Sequence, residues 1–297
     1  MDLDALLARA RHLEVKSRFL ARSHYAGLYR SAFRGQGMEF ADVRAYSDGD
    51  DVRLIDWNVS ARSQSLYVKR MEEERERNVL VLIDASGSMR FGSSGQSKFE
   101  LLTELAALFV IAGFHARDRL SLAAFSSTVD PYVPAGKGWN HAARLIREIV
   151  SATPAGHPTD LESVWNFLNS PGIPRSLVLM LTDFQAPLQA SNSFGAASRK
   201  HEIVAIVITD PREWELPPVG RVRIHDPETR MSRLVDTRAS AARAGYQEAG
   251  RQKREKVRAV FEGGGVDWIE ISTAESYEGR LRKFLELRSA RRGCRRQ

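Results

Sequence analysis

Residues 78–84 read NVLVLID, five apolar side chains in succession between Asn78 and Asp84. A run this short, rich in β-branched residues and without polar alternation, predicts a strand buried on both faces in a parallel sheet. SLVLMLTDF at 176–184 and HEIVAIVITD at 201–210 repeat the pattern, and VDWIEIS at 266–272 is a fourth such strand. RLSLAAFSS at 119–127 reads as a strand, followed by DPYVPA at 130–135 as a short edge piece. Helical spacing falls between the strands: about 97–117, NHAARLIREIVSA at 140–152, LESVWNFLNS at 161–170, a turn or two near 193–200, and ESYEGRLRKFLELRSA at 275–290. Alternating strands and helices predict an α/β fold, a mostly parallel, Rossmann-like sheet flanked by helices.

The bulk properties bound what this fold does. The chain has 297 residues, 43% hydrophobic and 27% charged, enough for one large domain with additional segments. MDLDALLARARHLEVKSR has no apolar h-region, so no signal peptide is expected. The longest apolar stretch, LAALFVIAGF at 105–114, is too short for a bilayer, which needs about 20 residues, and predicts a buried helix. Cys294 is the single cysteine, which excludes an intrachain disulfide and fits a cytoplasmic location. Of the net charge of +7, all is carried by residues 238–297, with 15 Lys/Arg against 8 Asp/Glu. A solvated helix face and a frayed basic tail at 291–297 account for that excess, and nucleic acid is not the expected partner.

Residues 1–77 form a separate N-terminal segment. It predicts a short helix near 3–13, short strands in MEFADVRAY (38–46) and SLYVKRM (65–71), and a turn at Asp48-Gly49-Asp50. The α/β domain is expected over 78–290. An insertion at about 211–265 interrupts it: a hairpin in RVRIHDPETRMSRLVDT turning at Pro227-Glu228-Thr229, then a helix over 237–261 running into Gly263-Gly264-Gly265.

In an open parallel sheet, ligands bind beyond the carboxyl ends of the strands where the strand order reverses. Asp84 ends the first apolar strand and Asp183 ends another, so neighbouring strands would bring both carboxylates to one crevice. Ser86 and Ser88 alternate in DASGS and share a face. Carboxylates with hydroxyls make a hard oxygen site, suited to Mg²⁺, with Mn²⁺ or Ca²⁺ as alternatives, rather than to zinc.

Asp84-Ala85-Ser86-Gly87-Ser88 resembles the DxSxS metal-ion-dependent adhesion site of von Willebrand factor type A domains. The resemblance implies that Thr159, in AGHPTDL, and Asp183, in LTDF, complete the metal site. Phe184 departs from the pattern, since many such domains have glycine after that aspartate. GQGMEFADVRAYSDGDDVRLIDWNVSAR, together with HEIVAIVITDPREWELP and HDPET, is similar to the signature of domain-of-unknown-function family 58, whose members resemble von Willebrand A domains. The resemblance runs from about Gly35 to about Pro227. It implies a von Willebrand A-like fold and a metal-dependent protein-interaction module. It also implies a protein partner, a MoxR-type AAA+ ATPase or its client, in chaperone-like assembly or maturation.

Other readings stand beside these. Thr159-Asp160-Leu161-Glu162 also reads as a capping box opening a helix. Ser86 and Ser88 could merely turn the chain, and Asp183 could be a turn residue. A metal-dependent hydrolase or phosphotransferase using the same site would need a general base, and His157 is the one histidine near Thr159. No GxSxG elbow is present, Ser86 occupies the place where a haloacid-dehalogenase-type phosphotransferase has its second aspartate, and GSSGQSK lacks phosphate-loop spacing. No catalytic residue is therefore assigned. Asp48, Asp50 and Asp51 read as a turn paired with Arg44, Arg53 and Arg62, or as a contact surface, and Trp57 as a packing residue.

Overall fold

The computed structural model describes residues 25–33, 39–63, 65–72, 76–154, 158–226 and 231–294. The expected helix at 3–13, His157 and the Pro227-Glu228-Thr229 turn lie outside these. The elements in chain order are α1 (Ala26–Phe33), β1 (Glu39–Ala45), α2 (Trp57–Ser63), β2 (Tyr67–Glu72), β3 (Asn78–Asp84), α3 (Lys98–His115), β4 (Arg119–Phe125), β5 (Val129–Gly136), α4 (Trp139–Ser151) and α5 (Leu161–Asn169). They continue with β6 (Leu177–Thr182), α6 (Asn192–Lys200), β7 (Glu202–Thr209), β8 (Arg221–His225), β9 (Ser232–Asp236), α7 (Ser240–Gly264), β10 (Asp267–Ser272) and α8 (Tyr277–Cys294). The chain forms two compact units, Phe33–Arg77 and the remainder.

In the smaller unit β1 and β2 pair antiparallel, with a register shift between Phe40 and Asp42. The acidic turn is held by charge pairing. Arg44 donates to both Asp50 oxygens at 2.8 and 2.6 Å, and Arg53 pairs with Asp51 at 2.8 Å. Asp56 caps α2 through Asn58 N at 3.0 Å. Trp57, expected to pack, is 67% exposed. It opens a two-turn helix beside a two-stranded ribbon, and Ser60 makes the contact instead: its Oγ accepts from Tyr67 N at 2.9 Å. So narrow a ribbon offers little surface to cover an indole.

The larger unit is built on a six-stranded sheet in the order β10-β7-β6-β3-β4-β5. All neighbours are parallel except β5, which runs antiparallel to β4 along the edge. Numbered within the sheet this is the doubly wound order 3-2-1-4-5-6, and its reversal lies between β3 and β6. The apolar runs form strands here because both of their faces are covered. All six residues of β6 are buried, as are Val79–Asp84 of β3. On one face Leu82, Met180 and Ala205 pack under α5, α6 and the C-terminal part of α7, with Trp165, Phe194 and Phe261 as the large fillers. On the other face α3 lies against β3, β4, β6 and β7, with α4 on its flank. Burying each Leu or Ile fully stabilises by about 1.5–3 kcal/mol, so the strand run sets the fold. This is the mostly parallel α/β sheet flanked by helices that the alternating strand and helix pattern predicts.

The insertion after β7 is a hairpin of β8 and β9 followed by α7. The helix extends past 261, through Gly263 and Gly264, and ends at Gly265, whose φ is 66°. A side chain on Gly264 would meet the Phe194 ring at 2.7 Å, so glycine lets α7 close on α6. Among the described residues no helix is long and apolar enough to cross a membrane.

Candidate functional site

The reversal between β3 and β6 places Asp84 and Asp183 at the same end of two adjacent strands. Asp84 is fully buried, with its Oδ1 accepting from Ser86 N at 2.8 Å and its Oδ2 from Thr182 Oγ1 at 2.5 Å. Ser86 and Ser88, at 0% and 2% exposure, set their hydroxyls 3.0 Å apart. Burial, reinforced by the negative charge of Asp183, pushes the Asp84 carboxyl up to about 7 against the hydrogen bonds that stabilise its charge. No cation among the described residues pairs with it.

Asp183 is committed differently. Its Oδ1 accepts from Gln185 N at 2.9 Å, and its Oδ2 takes the Lys98 ammonium at 2.5 Å. Lys98 is itself 0% exposed and also pairs with Glu213, which follows β7. Burial alone would depress the lysine, but the two carboxylates outweigh it and raise its pKa above the ordinary value. Glu213 is raised by burial and by Asp183, with Lys98 opposing. Sequence reading missed Lys98, Thr182 and Glu213. The available signals were a lysine opening a predominantly apolar helix, and the threonine beside Asp183 in LTDF.

Phe184 turns the chain after Asp183 in a left-handed conformation without a glycine. Its φ is 49°, left-handed, and its backbone N donates to Thr182 Oγ1 at 3.2 Å. Only 2% exposed, its ring meets Phe261 of α7 edge-on at 4.9 Å between centroids. Packing holds a conformation that costs an L-residue about 1–2 kcal/mol.

Thr159 precedes α5. The cap of that helix is Asp160, not Thr159: Asp160 Oδ1 accepts from Glu162 N at 2.9 Å. The capping-box reading fails because the chain stays extended through Asp160, whose N–H donates to Ser126 O at 2.8 Å beyond β4, while Glu162 turns to Ser191 and Ser193. Thr159, partly buried, therefore sits at the same end of the sheet. The GSSGQSK loop is tied down: Ser97 and Glu100 form the capping box of α3, and Ser93 N and Oγ donate to Asp210 at 2.8 and 2.5 Å. Asp210, 0% exposed, also accepts from Thr273 Oγ1 at 2.7 Å. Burial works against its charge, and these hydrogen bonds outweigh burial and hold its carboxyl below the usual range.

Among the described residues no group of three or more His, Cys, Asp or Glu could hold a metal ion. A cation here would rest on two carboxylates and neutral hydroxyls, a donor set that suits a hard divalent ion retaining some of its water. The buried Asp84, lacking a counter-ion, fits that role.

The family described as "Protein of unknown function DUF58" matches residues 42–256. The uncharacterized protein Rv1480 of Mycobacterium tuberculosis is 29% identical over 296 residues, covering 99% of this chain and 92% of its own. The uncharacterized protein MAV169 of Mycobacterium avium is 29% identical over 164 residues, 54% of this chain and 95% of its own. Among solved structures, an aerotolerance-related membrane protein from Bacteroides fragilis gives a TM-score of 0.48 at 14% identity, covering 71% of this chain and 99% of that one. The SpRpn10 VWA domain gives 0.39 at 9% identity, covering 72% and 95%.

Proposed function

The chain belongs to the protein family of unknown function DUF58, and on that premise we propose that its strand-end cluster is a divalent-cation site that captures an acidic residue of a protein partner. Asp84, Ser86 and Ser88 would hold the ion, with Thr159 and Asp183 completing its surroundings. Mg²⁺ is the expected cation, with Mn²⁺ or Ca²⁺ as alternatives. The observation that carries the reading is Asp84: wholly buried, beside Asp183 and two hydroxyls, with no cationic partner among the described residues. A bound divalent ion supplies an electrophilic position for an incoming carboxylate. The chain's own part is to keep protein charge at that position low. Ser86 and Ser88 are neutral, and one oxygen of Asp183 is taken by the Lys98 ammonium. The partner class is a MoxR-type AAA+ ATPase or its client.

The test is capture of a purified partner ATPase on the immobilised chain with Mg²⁺, with EDTA, and with Asp84→Asn. Binding that needs both the cation and Asp84 supports the reading, and binding indifferent to both overturns it. Phosphoester turnover that Asp84→Asn abolishes would instead make the site a metal-dependent hydrolase.

A further inference from the structure

The insertion reaches Asp183 through a continuous chain of partly buried polar contacts. Glu213, in the turn after β7, shares Lys98 with Asp183. Its Oε1 also accepts from Gln185 Nε2 at 3.1 Å, and its Oε2 from Asp210 N at 3.0 Å. Gln185 N holds the other Asp183 oxygen at 2.9 Å. From α7, Lys253 Nζ donates to Gln185 O and Oε1, both at 2.6 Å. Lys98 is thus a single ammonium, without solvent contact, divided between a site carboxylate and a carboxylate of the insertion.

We propose that the insertion sets the cation affinity of the site, with Lys98 and Glu213 as its positioning residues. This rests on the proposed function of the Asp84 cluster. Glu213 draws part of the lysine's charge away from Asp183. When Glu213 is neutralised, or its turn displaced by something docking on the insertion, Lys98 faces Asp183 alone and the site becomes poorer in negative charge. When Lys98 is removed, the Asp183 carboxylate is released toward the site. The two substitutions therefore move cation affinity in opposite directions, which a merely structural role for the pair would not do.

The experiment is calorimetric titration of MnCl₂ and of MgCl₂ into the full chain, with melting of the metal-free proteins alongside. Glu213→Gln keeps the side chain's shape and is expected to weaken binding on the order of tenfold, since one charge a few ångströms away in a screened interior is worth at least that. Lys98→Met is expected to tighten binding by a similar factor while lowering the melting temperature of the metal-free chain. Lys98→Met/Glu213→Gln is expected to return toward the wild-type affinity. If Lys98→Met does not fold, Glu213→Gln decides alone. Wild-type binding that Glu213→Gln leaves unchanged, or that both single variants weaken, overturns this inference and leaves the cation site standing. No binding of either metal to the wild type overturns both.

Discussion

Phe184 offers a test in which the usual order of two substitutions is reversed. Its ring is 2% exposed against Phe261, and its backbone sits at φ 49°. Truncating a buried Phe to Ala costs about 3–5 kcal/mol in lost transfer energy and cavity. Phe184→Ala pays that and keeps the left-handed backbone. Phe184→Gly loses the same ring and one further carbon, but adopts φ 49° without steric cost. The left-handed conformation costs an L-residue about 1–2 kcal/mol, and glycine's freedom in the unfolded chain returns about 0.4–1 kcal/mol of that advantage. Both variants should be destabilised by roughly 3 kcal/mol or more, with glycine the more stable of the two by up to about 1 kcal/mol. Urea unfolding of the full chain, followed by circular dichroism with equal m-values for the two variants, reads this as a higher midpoint for glycine. An alanine variant clearly more stable than the glycine variant would refute the claim that packing against α7 holds a strained loop beside Asp183.

Further expectations concern the buried polar groups. His201, 4% exposed, accepts from Ser176 N through Nδ1 and pairs with Leu168 O through Nε2 at 2.8 Å, so the neutral ring fits. Burial lowers its pKa below the unfolded value. Its contribution to stability is therefore complete above pH about 6.5 and is lost as pH falls below that toward the folded value. His201→Gln should flatten that part of the stability–pH curve, and an unchanged slope would argue against it. Asp210→Asn places an amide NH₂ against the Ser93, Thr273 and Arg212 donors. It should cost about 2–3 kcal/mol and speed hydrogen exchange in the 91–97 loop. Arg288→Met frees the carboxylates of Glu202 and Asp267, which are partly exposed, so the loss should be about 2 kcal/mol, measured as a drop in unfolding free energy.

Much of the sheet was legible because parallel strands buried on both faces must be continuously apolar, and NVLVLID, SLVLMLT and EIVAIVIT have no other stable place. Asp84 and Asp183 were legible for a related reason: each is the first charged residue after such a run, at the end of the sheet where ligands bind. What escaped was set by distant partners. Lys98 and Glu213 are separated by 115 residues and meet only because β7 and α3 lie side by side in the fold. Phe184 broke a glycine pattern, and its compensation comes from Phe261 on the inserted helix, which no local pattern announces. Beside its metal-site reading Thr159 also fitted a capping box, and the cap is one residue on, where the Asp160–Ser126 bond keeps the chain extended. Trp57 read as core by residue type alone, and the small unit has too little surface to cover it.

If Asp84 anchors a divalent cation, the melting temperature of wild type and Asp84→Asn with and without MgCl₂ reads it directly. The metal-free Asn variant is expected to melt no lower than the metal-free wild type, because a buried carboxyl without a counter-ion gives way to a neutral amide that still accepts from Ser86 N and meets the Thr182 hydroxyl, which can turn to accept. Mg²⁺ at about 100 times its dissociation constant is expected to stabilise the wild type by about 2.7 kcal/mol and leave the variant unmoved. Equal stabilisation of both proteins, or of neither, would contradict it.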